Sequence, residues 1–187
     1  MPPRLVIAGL SGESGKTLVS LGLILAASRS GLPVRAFKKG PDYIDAAWLS
    51  WASGQPARNL HTYLMGFEGT ARSFVRHASA AGLNLIEGNR GLYDGVDAKG
   101  THSTAVLAKL LRAPVVLVAD ATKVTRTVAA LVLGCQKLDP EVSIAGVILN
   151  RIGSRRHEQV TREAIEGECG LPVLGAVPRA GSGILLP

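Results

Sequence analysis

The residues best suited to chemistry form one short run, Gly9-Leu10-Ser11-Gly12-Glu13-Ser14-Gly15-Lys16-Thr17. An apolar stretch, Leu5-Val6-Ile7-Ala8, precedes it, and a helical pattern takes over near Leu18. A strand, a glycine-rich turn ending in Gly-Lys-Thr and a helix together hold the phosphates of a nucleoside triphosphate. Backbone N–H groups of the turn and the helix N-terminus point at the anion, a lysine reaches the terminal phosphates, and a threonine hydroxyl ligates Mg²⁺. Gly12, Glu13, Ser14, Gly15, Lys16, Thr17 and Leu18 are the expected nucleotide contacts. The spacing departs from the common form, which would place a glycine at position 10; here Leu10 stands there and Gly9 lies one residue further out.

Three further groups of polar residues follow apolar runs. Lys38-Lys39-Gly40-Pro41-Asp42-Tyr43-Ile44-Asp45 sets two lysines and two carboxylates around a Gly-Pro corner. Carboxylates beside a phosphate loop suit Mg²⁺, a hard cation that takes a few acids plus phosphate oxygens; Asp45 could equally cap a helix. Glu87 ends the run Leu85-Ile86 and stands where phosphate-loop enzymes carry an acid that helps to hold the metal. A buried strand does not end in an unpaired charge without cost. Asn150, with Arg151 beside it, ends another apolar run, and its amide can both donate to and accept from a purine edge. Thr17, Asp42 and Glu87 are thus assigned to Mg²⁺, and Lys16 and Lys38 to the transferring phosphoryl group. Asp120 or Thr122 is expected to cap the helix that follows.

The elements that must position these residues alternate regularly. Strands are predicted at 4–8, 33–37, 83–87, 114–119, 143–149 and 172–176, and helices at 16–29, 45–53, 69–79, 103–111, 124–137 and 154–168. Pro114-Val115-Val116-Leu117-Val118-Ala119 is apolar at every position, as strands buried on both faces of a parallel sheet are. The expected fold is therefore α/β, a P-loop NTPase-type, mostly parallel sheet with helices on both faces, built as a single domain over 1–187. Ligands in such sheets sit at the carboxyl ends of the strands. Residues 180–187 read as a loop cut off in mid-run.

Composition excludes several classes. Hydrophobic residues make up 47% of the 187, too many for a disordered chain. Aromatics at 4% give little material for stacking nucleic-acid bases. The +7 net charge is spread along the chain, its one local cluster being Arg151, Arg155, Arg156 and His157, which favours acidic small molecules over nucleic acid. The apolar stretch from Leu18 to Ala27 is short of the roughly 20 residues a bilayer requires, and Met1 leads into a strand within four residues. The expectation is a cytoplasmic protein without membrane partner, with Cys135 and Cys169 as incidental thiols.

Taken in order, these segments resemble the cobyrinic acid a,c-diamide synthase family, in particular its amino-terminal, ATP-dependent synthetase domain; dethiobiotin synthetase is similar at greater distance. The resemblance rests on Gly9 to Thr17, Phe37 to Asp45, Arg58-Asn59-Leu60, Glu87 to Gly95, Ser103-Thr104-Ala105, Gly146 to Arg151 and Arg156-His157. It implies that ATP phosphorylates a peripheral acetate of a tetrapyrrole and that ammonia then displaces phosphate. It further implies that Asp45 and Asp94 shape the reacting-carboxylate site, that Asn150 reads adenine, and that Tyr43, Asn89, Arg90, Gly91, Leu92 and Tyr93 belong to the substrate side. Members usually carry a carboxy-terminal glutaminase-like domain. Neither Cys135 nor Cys169 is placed to serve as its nucleophile, so ammonia is expected from a glutaminase domain or subunit outside this chain. The Lys38-Lys39 and Asn89-Arg90 pairs look more like the sirohydrochlorin- or sirohaem-directed branches than like cobyrinate enzymes. A homodimer is a further expected assembly. The competing readings are a partition- or maturation-type dimeric switch ATPase, which usually carries a lysine where Ser11 stands, and an inactive nucleotide-binding fragment.

Overall fold

The computed structural model describes residues 2–179; the loop read at 180–187 lies outside the described residues. Seven strands form one sheet: β1 (Arg4–Gly9), β2 (Val34–Lys39), β3 (Arg58–Leu60), β4 (Leu83–Gly91), β5 (Val115–Asp120), β6 (Ile144–Ile152) and β7 (Val173–Pro178). Their order is β3-β2-β4-β1-β5-β6-β7, and every neighbouring pair is parallel. The crossovers are α1 (Lys16–Arg29), α2 (Tyr43–Ser53), α3 (Thr62–His77), α4 (Thr104–Leu110), α5 (Arg126–Leu138) and α6 (Arg155–Cys169).

Successive side chains of a strand point to opposite faces, and the core divides accordingly. Ile7, Ala36, Leu85, Val116, Val118 and Ile148 pack against Val19, Leu21 and Ile24 of α1 and Leu49 of α2. Val6, Ala8, Phe37, Ile86, Leu117 and Leu149 form the other layer with Phe74 of α3, Leu107 of α4, Val128 and Val132 of α5 and Ile165 of α6. The uninterrupted apolar run in β5 is thus explained, since it has a helical layer on each side. No helix among the described residues is long and apolar enough to cross a membrane.

Several elements differ from the sequence expectation, among them β4 and β6, which run on past 87 and 149 to Gly91 and Ile152. β3 is a three-residue edge strand whose Arg-Asn-Leu carries no apolar periodicity. α3 begins seven residues early, at Thr62, because Gly66 (φ 67°, ψ 171°) splits it into a first turn and a main body; only glycine adopts that conformation readily. α2 begins two residues early, at Tyr43, with Asp42 as its cap.

Candidate active site at the carboxyl ends of the strands

The turn from β1 to α1 is built for close approach. A Cβ on Gly9 would fall 2.4 Å from Ser14 Oγ and 2.6 Å from the Ser11 carbonyl, so the offset glycine is a steric requirement of this loop. Gly15, at the start of α1, takes the left-handed conformation (φ 92°), and a Cβ there would lie 2.0 Å from Asn150 Nδ2. Lys16 folds back over the loop and donates to the Ser11 carbonyl at 3.2 Å. Burial and then the neighbouring Lys38 charge lower its pKa. The chain holds a lysine ready to leave that carbonyl for a stronger acceptor.

Asn150, at the tip of β6, is buried. Its Nδ2 donates to the Ser14 carbonyl at 2.9 Å, and its Oδ1 accepts from the Arg151 N–H at 2.9 Å. The amide expected to read adenine is engaged instead in fixing the phosphate loop to the far side of the sheet. Arg151 turns away with φ 61° and pairs with Asp120. Asp120 also accepts from the Thr122 N–H at 2.8 Å, so it closes a turn and does not cap α5, whose cap position is Thr125.

Lys38 and Glu87 are register partners on β2 and β4 and share the face covered by α1. Lys38 Nζ lies 2.8 Å from Glu87 Oε1 and 2.5 Å from Asp45 Oδ2, and it also donates to the Gly88 carbonyl. The Thr17 hydroxyl donates to Glu87 Oε1 at 2.8 Å. Burial pushes the Lys38 pKa down, but the Glu87 and Asp45 charges outweigh it and raise the pKa above 10.5. Burial pushes the Glu87 carboxyl up against the pull of Lys38. Its Oε2 is buried without any hydrogen-bond partner, an acceptor that a cation would satisfy.

Asp42, expected at the metal, also fixes a helix start. Asp42 Oδ1 accepts from the Ile44 and Asp45 N–H groups at 3.0 and 3.1 Å, so Asp42 is the cap of α2. Asp45, one turn into the helix, faces the cluster. Burial raises its pKa, but the hydrogen bond from Lys38 and the Lys38 charge hold it below 3.8. The Glu87 and Asp45 carboxylates thus converge on Lys38, with the Thr17 hydroxyl bonded to Glu87. Among the described residues no group of three His, Cys, Asp or Glu side chains forms a protein-only cage. A sparse oxygen set beside a phosphate loop suits Mg²⁺, which keeps waters and takes phosphate oxygens.

On the opposite face of the β2 tip, Lys39 opens onto a cavity of about 500 Å³ lined by Asn89, Arg90, Asp94, His61 and His102 among others. Burial, then the charges of Arg90 and Lys38, lower its pKa. Asp94 accepts from the Gly91 N–H at 2.7 Å and so holds its carboxylate at the cavity wall; a Cβ on Gly91 would collide with it at 2.8 Å. Thr104 Oγ1 bridges to both backbone groups of Asn89 at 3.3 Å, fixing the cavity's floor.

Of the residues expected on the substrate side, Asn89 and Arg90 line this cavity, whereas Tyr43, Gly91, Leu92 and Tyr93 do not. Leu92 is a core residue, 1% exposed. The Tyr93 hydroxyl donates to the Cys135 carbonyl at 2.6 Å, and burial, with Cys135 and Asp139 nearby, pushes its pKa to about 12. Tyr43 stands on the outer side of the α2 start. His61 carries no motif of its own, and His102, alone before a helix, reads as a surface or capping residue; only the fold brings both to the Lys39 side.

A seven-stranded parallel sheet with this loop at its centre and acids and lysines at the strand tips defines a P-loop NTPase. The chain belongs to the CobQ/CobB/MinD/ParA nucleotide-binding domain family, whose model matches residues 5–182. It is 48% identical over 178 residues to a cobyrinate a,c-diamide synthase of Magnetococcus marinus, covering 95% of this chain and 38% of that protein. It is 51% identical over 179 residues to a hydrogenobyrinate a,c-diamide synthase of Streptomyces coelicolor, covering 95% and 37%. The chain thus spans about two-fifths of the length of the curated relatives it matches. Chloroplast FtsY of Physcomitrella patens shares the fold, with a TM-score of 0.67 at 17% identity over 97% of this chain and 60% of that one.

Proposed function

We propose that this chain is the ATP-using part of an enzyme that amidates peripheral acetate carboxylates of a tetrapyrrole. The names of the relatives favour cobyrinate or hydrogenobyrinate over the sirohydrochlorin or sirohaem suggested by the lysine and Asn-Arg pairs. The observation that carries the reading is the strand tip of β2. Lys38 faces the phosphate loop within a cluster of Thr17, Asp45 and Glu87, while Lys39 faces an open cationic cavity. A phosphoryl donor and a carboxylate acceptor would meet there.

In the first step a substrate carboxylate oxygen attacks the γ-phosphorus of ATP, the bond to the β-phosphate oxygen breaks, and an acyl phosphate and ADP result. In the second, ammonia adds to the acyl carbon, phosphate departs, and the nitrogen sheds its extra proton to leave a neutral amide. An acyl phosphate is needed because a carboxylate has only oxide to expel. Lys16 and Lys38 would orient the transferring group and offset the charge that spreads over its oxygens, which is the main protein contribution to phosphoryl transfer. Mg²⁺ held by Thr17, Asp45 and Glu87 would draw charge from the phosphate oxygens. Asp94, which accepts from the Gly91 N–H, would receive the ammonium proton. Glutamine hydrolysis elsewhere is the proposed ammonia source, and free ammonium should replace it.

The test is a turnover assay with ATP, Mg²⁺, ammonium and a panel of tetrapyrrole acids, products being read by mass. ADP should appear one-for-one with amide. ATP turnover that responded to DNA or a protein partner and ignored every tetrapyrrole acid would defeat the reading.

A further inference from the structure

A second cavity, of about 350 Å³, opens on the same face of β2 as Lys39 but toward the start of the strand. Along that face Arg35 comes first, then the buried Phe37, then Lys39. Phe37 packs on Phe74 of α3 with ring centroids 5.1 Å apart, and the two cavities have no lining residue in common. Arg35 of β2, Arg58 of β3 and Arg76 and His77 of α3 all line this second cavity, and no acid does. Other arginines of the molecule are matched: Arg72, Arg126, Arg151 and Arg162 each pair with a carboxylate. Among the described residues Arg35, Arg58 and Arg76 form no such pair, and Arg35 donates to a neutral acceptor, Gln55 Oε1, at 2.7 Å. The carbonyl end of α3 favours cations, which accounts for Arg76 and His77 but not for two arginines brought in by separate strands.

The wall behind these side chains is fixed. Asn84, buried and the register partner of Arg35 on β4, donates to the Ser79 carbonyl at 2.8 Å and accepts from the Ser79 N–H at 2.8 Å, which pins the chain where it leaves α3. His77 Nδ1 donates to the Ser73 carbonyl at 2.8 Å, so the imidazole is held to its own helix.

We infer that this cavity binds a small oxyanion carrying two or more negative charges, held between Arg35, Arg58 and Arg76. Guanidinium groups match phosphate and carboxylate oxygens with paired N–H donors. Three of them around one recess repel one another until an anion sits between them, and a single negative charge would leave two uncompensated. A volume of about 350 Å³ is at the small end of ligand sites, so the anion is compact. The site lies apart from the nucleotide and carboxylate sites at the carboxyl ends of the strands and does not depend on the function proposed for them.

The experiment is calorimetric titration of pyrophosphate and, separately, of citrate into the 187-residue chain saturated with ADP, which fills the phosphate loop. One equivalent of anion should bind, more weakly as salt is raised, and the tighter of the two tells whether phosphate or carboxylate oxygens are preferred. Arg58→Gln and Arg76→Gln, both at exposed positions, should each weaken binding roughly tenfold, the scale of one charge-assisted hydrogen bond. Arg72→Gln, on the same helix but outside the cavity, should leave it unchanged. A fluorescent ATP analogue should bind all three variants as it binds the parent, which shows that they are folded. No binding of either anion, or equal affinity in the parent, Arg58→Gln and Arg76→Gln, would overturn the site and leave the proposed function as it stands.

Discussion

Lys38 and Lys39 are neighbours in one strand, yet they live under opposite conditions. Lys38 is 2% exposed between two carboxylates that keep its proton on above 10.5. Lys39, one residue later and on the other face, has Arg90 for company and a lowered pKa. The first belongs to a compact, neutralised cluster, and the second lines an open cavity where Asp94 is the single carboxylate beside two cations. The pleat of a strand is enough to separate the two, because alternate side chains leave opposite faces. A site that must bring a nucleotide and a carboxylate together without mixing their charges can thus be made from two adjacent residues.

The largest effects should come from the compact side. Lys38→Met leaves Glu87 buried without its cation, and breaking such a pair costs about 3–5 kcal/mol. Chemical denaturation should report that loss alongside abolished ATP turnover. Lys16→Ala should also abolish turnover but leave stability near the parent's, since Lys16 contacts only a loop carbonyl. Glu87→Gln keeps the hydrogen bond from Thr17 while removing the charge; Mg²⁺-dependent ATP binding should fall by about 10²-fold, the upper scale for disturbing a metal's ligand surroundings. Unchanged Mg²⁺ dependence would remove Glu87 from the metal site.

Alkaline pH offers a gentler way to set the two lysines apart. A raised folded-state pKa means that the stabilising contribution of Lys38 is complete below 10.5 and fades as pH climbs through the higher folded value. Lys39 has the opposite sign: its charged form is disfavoured by the fold, and the cost is relieved as pH rises through a value below 10.5. Raising the pH should therefore increase KM for the carboxylate substrate before KM for ATP changes, and Lys39→Arg should move the first effect to higher pH. The smallest effect belongs to Tyr93→Phe. It removes one hydrogen bond to the Cys135 carbonyl, about 1 kcal/mol in thermal unfolding, with KM and kcat for the tetrapyrrole unchanged. A large rise in KM would return Tyr93 to the substrate side.

Much of this was legible in the residues themselves. The loop, the acid Glu87 and the lysine pair announce themselves by type and by the apolar runs before them, although β4 continues four residues beyond Glu87. The roles of Asp42 and Asp45 did not, and the reason is specific. Two acids three residues apart near a helix start can be cap and ligand in either order, and placing the start at 45 instead of 43 exchanges them. β3 escaped because three edge residues carry no period, and the first turn of α3 because a helix that breaks at Gly66 shows no continuous apolar stripe. Leu92 and Tyr93 share a motif with Gly91 and Asp94, but adjacency in sequence says nothing about which of four residues the backbone turns toward the core.

The bond from Asn150 to the Ser14 carbonyl spans 136 positions of sequence. During folding, the phosphate loop and α1 can form early from local contacts, but the loop cannot take its final shape until β6 has joined β5 at the sheet. Contacts of such high sequence separation are late in most folding reactions. Nucleotide affinity in this chain would then be acquired near the end of folding, and a fluorescent ATP analogue added during refolding would report the arrival of β6 and not the formation of the loop beside it.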